Sequence, residues 1–215
     1  MEIDQVIRER RSIRRYRDKG LSWQQIGLVL DAGRYAPSAG NVQNWRFVVV
    51  RDKKRKNEIA TACARQYWMN EAPVLIIICD DLTNIKTLYG KRGENLYSIQ
   101  DCAAACENII LKATSMNLGT CWIGAMDEDA ICRILKLPSN IKPEIILTLG
   151  YPDEKPGPEM KYPLSKITFY EEYGKKEIEK EFDFFPLEKQ AEKAEESFEK
   201  SKSKVKRLFK RFKKS

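Results

Sequence analysis

Ala36-Pro37-Ser38-Ala39-Gly40-Asn41-Val42-Gln43-Asn44-Trp45-Arg46-Phe47 stands between a helical pattern that ends near Tyr35 and a β-branched run, Phe47 to Val50. Pro37 and Gly40 stop the helix. Ser38, Asn41, Gln43 and Asn44 place short polar side chains in a segment that follows neither the helical nor the strand period. A plain connection needs roughly two to five residues, so this loop carries more hydrogen-bonding groups than joining two elements requires. It is either a solvated connection or a binding loop.

Working outward, Ile3, Val6 and Ile7 recur at helical spacing over residues 2–11 and predict a helix ending near Ser12. Ser22, with Gln25 three residues later, predicts a second helix opened by a capping box, its apolar face Trp23, Ile26, Leu30 and then Gly33 or Tyr35. After the loop come a strand at Phe47–Arg51, a charged helix over 53–66, and a buried strand over Val74–Cys79, opened by Pro73. Residues 80–95 are polar and contain Gly90 and Gly93, which suggests a mobile connection or lid. Leu96, Ile99, Ala103, Cys106, Ile110 and Ala113 predict the longest core helix, 96–116. Thr120–Ile123 and Ile145–Leu149 predict strands with a helix at 127–136 between them, and the prolines of 152–163 predict an extended arm. No G-x-G-x-x-G occurs, which disfavours a dinucleotide fold. The expected fold is an α+β sandwich with a central mixed sheet.

The chain has no histidine. That excludes a Ser-His-Asp triad, a Cys-His pair and a His-ligated metal, so an enzyme built on it uses other side chains or a cofactor that carries the chemistry. Its six cysteines show no Cys-x-x-Cys spacing, and reduced core thiols are expected rather than zinc or iron–sulfur ligands. At 215 residues one sizeable core is expected. No apolar run approaches the roughly 18 residues of a membrane span. The N-terminus lacks a signal-peptide pattern, so a cytoplasmic protein is expected. Of the net charge of +8, residues 175–215 contribute +5 and residues 1–174 only +3, which makes a nucleic-acid-binding core unlikely on charge grounds.

Two further stretches bear on the loop: Arg10-Arg11-Ser12-Ile13-Arg14-Arg15-Tyr16, and Asn117-Leu118-Gly119-Thr120-Cys121-Trp122-Ile123-Gly124-Ala125. Gly150-Tyr151-Pro152 and Lys161-Tyr162-Pro163-Leu164 follow in order. Together with the loop these motifs resemble the FMN-dependent nitroreductase family over about residues 1–170. The resemblance implies a three-layer sandwich with a central mixed sheet flanked by helices, and a homodimer with two FMN sites at its interface. It also implies electron transfer from NADH or NADPH to a small electron-poor acceptor, quinone- or nitroaromatic-like, by ping-pong kinetics. The flavin would carry the chemistry, with no catalytic side chain and no metal.

Phosphate is best held by guanidinium forks and small hydroxyls, which Arg10, Ser12 and Arg14 supply within five residues. The resemblance places Arg10 and Ser12 on phosphate and Arg14 on the ribityl and N1/O2 side. Lys161 falls where the family has a basic phosphate contact; it keeps the charge and gives up the fork. Pro37, Ser38, Ala39, Asn41 and Gln43 match a loop that reaches a flavin bound mainly by the other subunit. Ile123 and Gly124 lie where the family turns backbone N–H groups towards the ring, and glycine permits close approach. Asp101, at the opening of the central helix, is expected to be structural.

The expected domains are 1–174, FMN-binding, and 175–215, a charged amphipathic extension outside the resemblance. In that extension Leu187, Ala191, Ala194, Phe198, Val205, Leu208, Phe209 and Phe212 recur at helical spacing. From Lys200 onward every charged side chain is basic, and three readings stand: a solvated charged extension, a stripe that packs on the dimer or on another tail, or an end, residues 200–215, that lies on an anionic membrane surface. The alternatives are a membrane-associated flavin-binding or scaffold protein in which this tail is the functional part, and a family relative that fragments flavin or dehalogenates reductively.

Overall fold

The computed structural model describes residues 2–176, so all but the first two residues of the amphipathic extension lie outside the described residues. The chain divides into two compact units, residues 1–157 and a second that begins at Pro158.

In the first unit α1 (Ile3–Glu9) is followed by an extended strip, and α2 (Trp23–Gly33) opens on the expected capping box. Ser22 Oγ accepts from the Gln25 N–H, and the Gln25 side chain accepts from the Ser22 N–H. The strands are β1 (Trp45–Val50), β2 (Val74–Asp81), β3 (Gly119–Ile123) and β4 (Ile141–Gly150). Between them run α3 (Lys53–Ala62), α4 (Leu82–Arg92), α5 (Ser98–Ser115) and α6 (Glu128–Leu135). The second unit's described part holds α7 (Leu164–Ile167) and a tilted Phe169–Tyr173 ring pair.

The sheet order is β1-β2-β4-β3, and all three strand pairings are antiparallel. The mixed sheet expected from the sequence therefore reduces to one parallel contact, the bridge of Ser12 with Thr120. The reason lies in the connection: α3 runs out and the turn at Tyr67–Glu71 brings the chain back, so β2 begins beside the end of β1, with Val50 opposite Leu75.

Every side chain of β2 from Val74 to Asp80 is buried, because helices cover both faces. Val74, Ile76 and Ile78 join the core beneath α2 and α5, while Leu75, Ile77 and Cys79 join that beneath α3 and α6. These are the three layers anticipated, and the class is α+β.

Three local expectations change. Residues 80–95 are mostly helix rather than a lid: Leu82 and Ile85 are buried, and Asp81 caps α4 by accepting from the Thr83 N–H. A π-turn, Gly93–Tyr97, then leads into α5, and a Cβ at Gly93 would collide with the Ile85 carbonyl, so close packing explains that glycine. On α5 the buried face is Cys102, Ala105, Cys106, Ile109, Ile110 and Ala113, rotated from the one expected, and Ile99 is exposed. On α2 the inward residues are Ile26, Val29 and Gly33, with Trp23 and Tyr35 outside.

Candidate functional site

The N-terminal strip is positioned from three sides. The Ile13 N–H donates to the Thr120 carbonyl at 2.8 Å, docking the strip beside β3. Ile13 turns into the core, and its contact leaves no room for a Cβ at Gly119. Tyr16 is buried, its hydroxyl donating to the Ile13 carbonyl at 2.6 Å and lying 2.6 Å from Thr148 Oγ1; burial pushes its pKa upward. On the other side the Glu154 carboxylate accepts from the N–H groups of Arg14 and Arg15, at 2.5 and 3.2 Å. The Glu71 carboxylate accepts from the Tyr16 N–H at 3.3 Å.

An extended strip alternates its side chains, so Ser12 and Arg14 fall on the face opposite Ile13. Arg10, Ser12 and Arg14 all act on the Cys121 thiol. Burial raises that thiol's pKa, while Arg14, a hydrogen bond to Ser12 and Arg10 draw it back. The three expected phosphate-side residues thus share one short strip, whose Ser12 bridges to Thr120 of β3. Among the described residues, neither the Arg10 nor the Arg14 guanidinium has an ion-pair partner, and Arg14 lies 5.9 Å above the Trp68 ring. Two unpaired guanidiniums and a hydroxyl suit an anion with several oxygens.

Ile123 is buried in the core beneath α3 and α6, so only its backbone can face a ligand. Gly124 differs from Gly119. A Cβ there would meet nothing nearer than Trp122 Nε1 at 3.9 Å, and its φ is not left-handed. Packing among the described residues gives no reason for glycine at 124.

The loop lies elsewhere. Gly40, Asn41 and Gln43 have φ of 55°, 56° and 52°. Ser38 Oγ accepts from the Gln43 N–H at 3.1 Å, and Gln43 Nε2 donates to Asn41 Oδ1 at 3.1 Å. The Ala39 N–H donates to Asp101 Oδ1 at 3.0 Å, which gives Asp101 the structural role expected. Burial raises the Asp101 pKa against the pull of that N–H. Pro37, Asn41 and Gln43 are exposed, and Tyr89 of α4 backs Gly40 so closely that a Cβ would strike its hydroxyl.

Strip and loop occupy opposite corners of the sheet. The loop feeds β1 at the row of Trp45, Asp80 and Lys142, whereas the strip joins the row of Thr120, Leu149 and Val74. The rows are about 20 Å apart along the strands, and β1 and β3 roughly 14 Å apart across them. One chain does not bring its two groups of candidates together. Lys161 belongs to the second unit, where it is exposed and 3.6 Å from Glu159. Sequence reasoning did not anticipate Glu71 or Glu154. Neither carries a signal in its residue type, because each accepts a backbone N–H.

The nitroreductase family model matches residues 7–67 and 56–151. A protein of Methanothermobacter thermautotrophicus, provisionally named NADH dehydrogenase/NAD(P)H nitroreductase, is 35% identical over 161 residues, 73% of this chain and 81% of its own. This chain belongs to the nitroreductase family. An FMN reductase [NAD(P)H] of Bacillus subtilis is 27% identical over 185 residues, 80% of this chain and 74% of its own. Among solved structures, an FMN-dependent nitroreductase from Clostridium difficile R20291 superposes with a TM-score of 0.69 at 26% identity, covering 79% of this chain and 99% of that one. Within this nitroreductase-family chain no described helix is long and apolar enough to cross a membrane, and no described cluster of Cys, Asp and Glu could hold a metal ion.

Proposed function

We propose that this chain is an FMN-dependent oxidoreductase that works as a homodimer, each flavin held between the strip of one subunit and the loop of the other. It takes electrons from NADH or NADPH and passes them to a small electron-poor acceptor of the quinone or nitroaromatic kind. The observation that carries the reading is the cluster Arg10, Ser12 and Arg14, its guanidiniums without an ion-pair partner among the described residues, set at the corner of the sheet opposite the loop. The two groups lie farther apart than a single flavin mononucleotide reaches, so one chain cannot use both on the same molecule. A two-fold axis that sets loop against strip gives two complete sites at once.

In each site Arg10 and Ser12 bind the phosphate. Arg14 stands towards the ribityl chain and the N1/O2 edge. Gly124 lets the backbone approach the ring. Pro37, Ser38, Ala39, Asn41 and Gln43 of the other subunit close the site, the carboxamides offering both donor and acceptor. FMN bound there supplies the hydride and electron chemistry. Donor and acceptor then use the same space in turn, which gives ping-pong kinetics. No acid–base side chain is needed, in keeping with a chain that has no histidine. The names of the Methanothermobacter and Bacillus relatives support the donor and the cofactor.

The test is anaerobic. The purified protein is expected to be yellow, to bleach with NADH or NADPH, and to recolour when a quinone or nitroaromatic is added, with parallel initial-velocity lines. A protein that purifies colourless and takes up no FMN overturns the reading.

A further inference from the structure

We infer that Glu154 is a positioning residue for Arg14, acting on the flavin through that arginine rather than by touching it. The inference rests on the assignment of the strip to FMN. Glu154 comes from the segment after β4, 140 residues from Arg14, and its Oε1 accepts the N–H groups of both Arg14 and Arg15. Two backbone donors fixed on one carboxylate oxygen set where the Arg14 Cα stands and which way its side chain leaves the strip. The pairing is reinforced on the same segment: Asp153 donates its N–H to the Arg15 carbonyl, and Arg17 donates to the Tyr151 carbonyl.

The Arg14 side chain then meets a second wall. Its guanidinium lies 5.9 Å from the centre of the Trp68 ring, within cation–π range. Trp68 sits on the turn Tyr67–Glu71, which Lys56 fixes from beneath by donating to the carbonyls of Asn70 and Ala72, at 3.1 and 2.5 Å. The same turn carries Glu71, whose carboxylate takes the Tyr16 N–H. Two carboxylates and an aromatic ring thus hold the strip and Arg14 from the side away from Thr120. Neither carboxylate pairs with a guanidinium of Arg10 or Arg14, which leaves both charges for an anionic ligand.

The experiment is a double-variant cycle read by FMN titration of the flavin-stripped protein, with thermal midpoints recorded alongside. Glu154→Ala is expected to weaken FMN binding about tenfold or more, the size of a lost contact to a charged group. Glu154→Gln keeps an acceptor oxygen and should recover most of that loss. Arg14→Ala combined with Glu154→Ala should bind no more weakly than Arg14→Ala alone, because the two residues act through one contact. Trp68→Leu repeats the cycle from the other wall and decides the matter if Glu154→Ala does not fold. Glu154→Ala at wild-type affinity beside a weakened Arg14→Ala overturns the positioning role, as do losses that multiply. Arg14→Ala at wild-type affinity instead overturns the flavin assignment of Arg14 itself.

Discussion

The bulge between β2 and β4 sets a half-buried carboxyl group beside a fully buried one, which makes a sharp prediction about pH. Ile145 pairs with Ile78 and Pro143 with Cys79, so Glu144 is the extra residue, next to Asp80. Asp80 is fully buried, and neither of its oxygens has a partner of good hydrogen-bond geometry. Burial raises the pKa of both groups; for Glu144 the Asp80 charge adds to it and Glu128 adds further, while Lys142 opposes. Two neighbouring acids in a dry site cannot both be ionised cheaply, and Glu144 is pushed up from 4.5 to about 7. A raised pKa in the folded state means that the folded protein holds a proton the unfolded chain gives up. The stability this confers is complete below 4.5 and is lost as pH rises through about 7.

At about 1.36 kcal/mol per unit the ceiling is roughly 3 kcal/mol. Glu144 is only half-buried, and solvent screening cuts this to ~1–2 kcal/mol. For a protein of this size that is about 3–6 °C in Tm. No histidine titrates in this window, and Asp101, whose pKa burial also raises, adds to the slope in the same direction. The carboxyls held below their ordinary values, Asp81 and Glu94, lose their contribution only at more acid pH. Thermal unfolding between pH 5 and 8 should therefore show a midpoint that falls with pH. Glu144→Gln should flatten that slope and leave the variant more stable than wild type at pH 8. A wild-type midpoint that is level or rises across the window, or a variant that keeps the slope, refutes the shared-proton account.

Arg10→Ala should cost roughly 1.5–3 kcal/mol of FMN binding with the fold intact, read by titration and circular dichroism; full flavin occupancy in the purified variant contradicts the phosphate role. Gly40→Ala puts a side chain at φ 55° against the Tyr89 hydroxyl, so the loop must move and flavin affinity should fall more than stability does. Sedimentation should show that flavin is retained by the dimer and lost on dilution to monomer; a monomer that keeps FMN contradicts the shared site. A chain ending at Gly174 should keep both flavin and dimer.

Much of this architecture could be read from short-range signals. The capping box at Ser22 and Gln25, the apolar run from Val74 and the breakers Pro37 and Gly40 each act within a few residues, and each is where the sequence suggested. What escaped depends on contacts distant in the chain. The helix over Leu82–Arg92 was hidden because Gly90 and Gly93 suggest mobility, whereas Gly93 is glycine to let the π-turn close on Ile85. The inward face of α5 was misjudged by about one position, because small residues surround Ala103 and Cys106 and hydropathy barely separates the candidate faces. The roles of Glu71 and Glu154 were illegible for a simpler reason. Both accept backbone N–H groups of the strip, and a backbone donor leaves no trace in residue type.

The loop makes the remaining step towards an assembly. Of the three left-handed residues within four positions, Gly40 is unstrained and Asn41 tolerates the region, so the cost, of order 1 kcal/mol, falls on Gln43. The chain holds them there deliberately, with Ser38 on Gln43, Gln43 on Asn41, Asp101 on Ala39 and Tyr89 against Gly40. Strain maintained by so many contacts belongs to a segment with a task. Yet this segment lies at the corner of the sheet opposite its own strip. The strip has the complementary character, gripped from behind by Glu71 and Glu154 while its guanidiniums stay unpaired among the described residues. On the proposed reading, a second copy of the chain, turned by a two-fold axis, would supply to each what its own fold withholds.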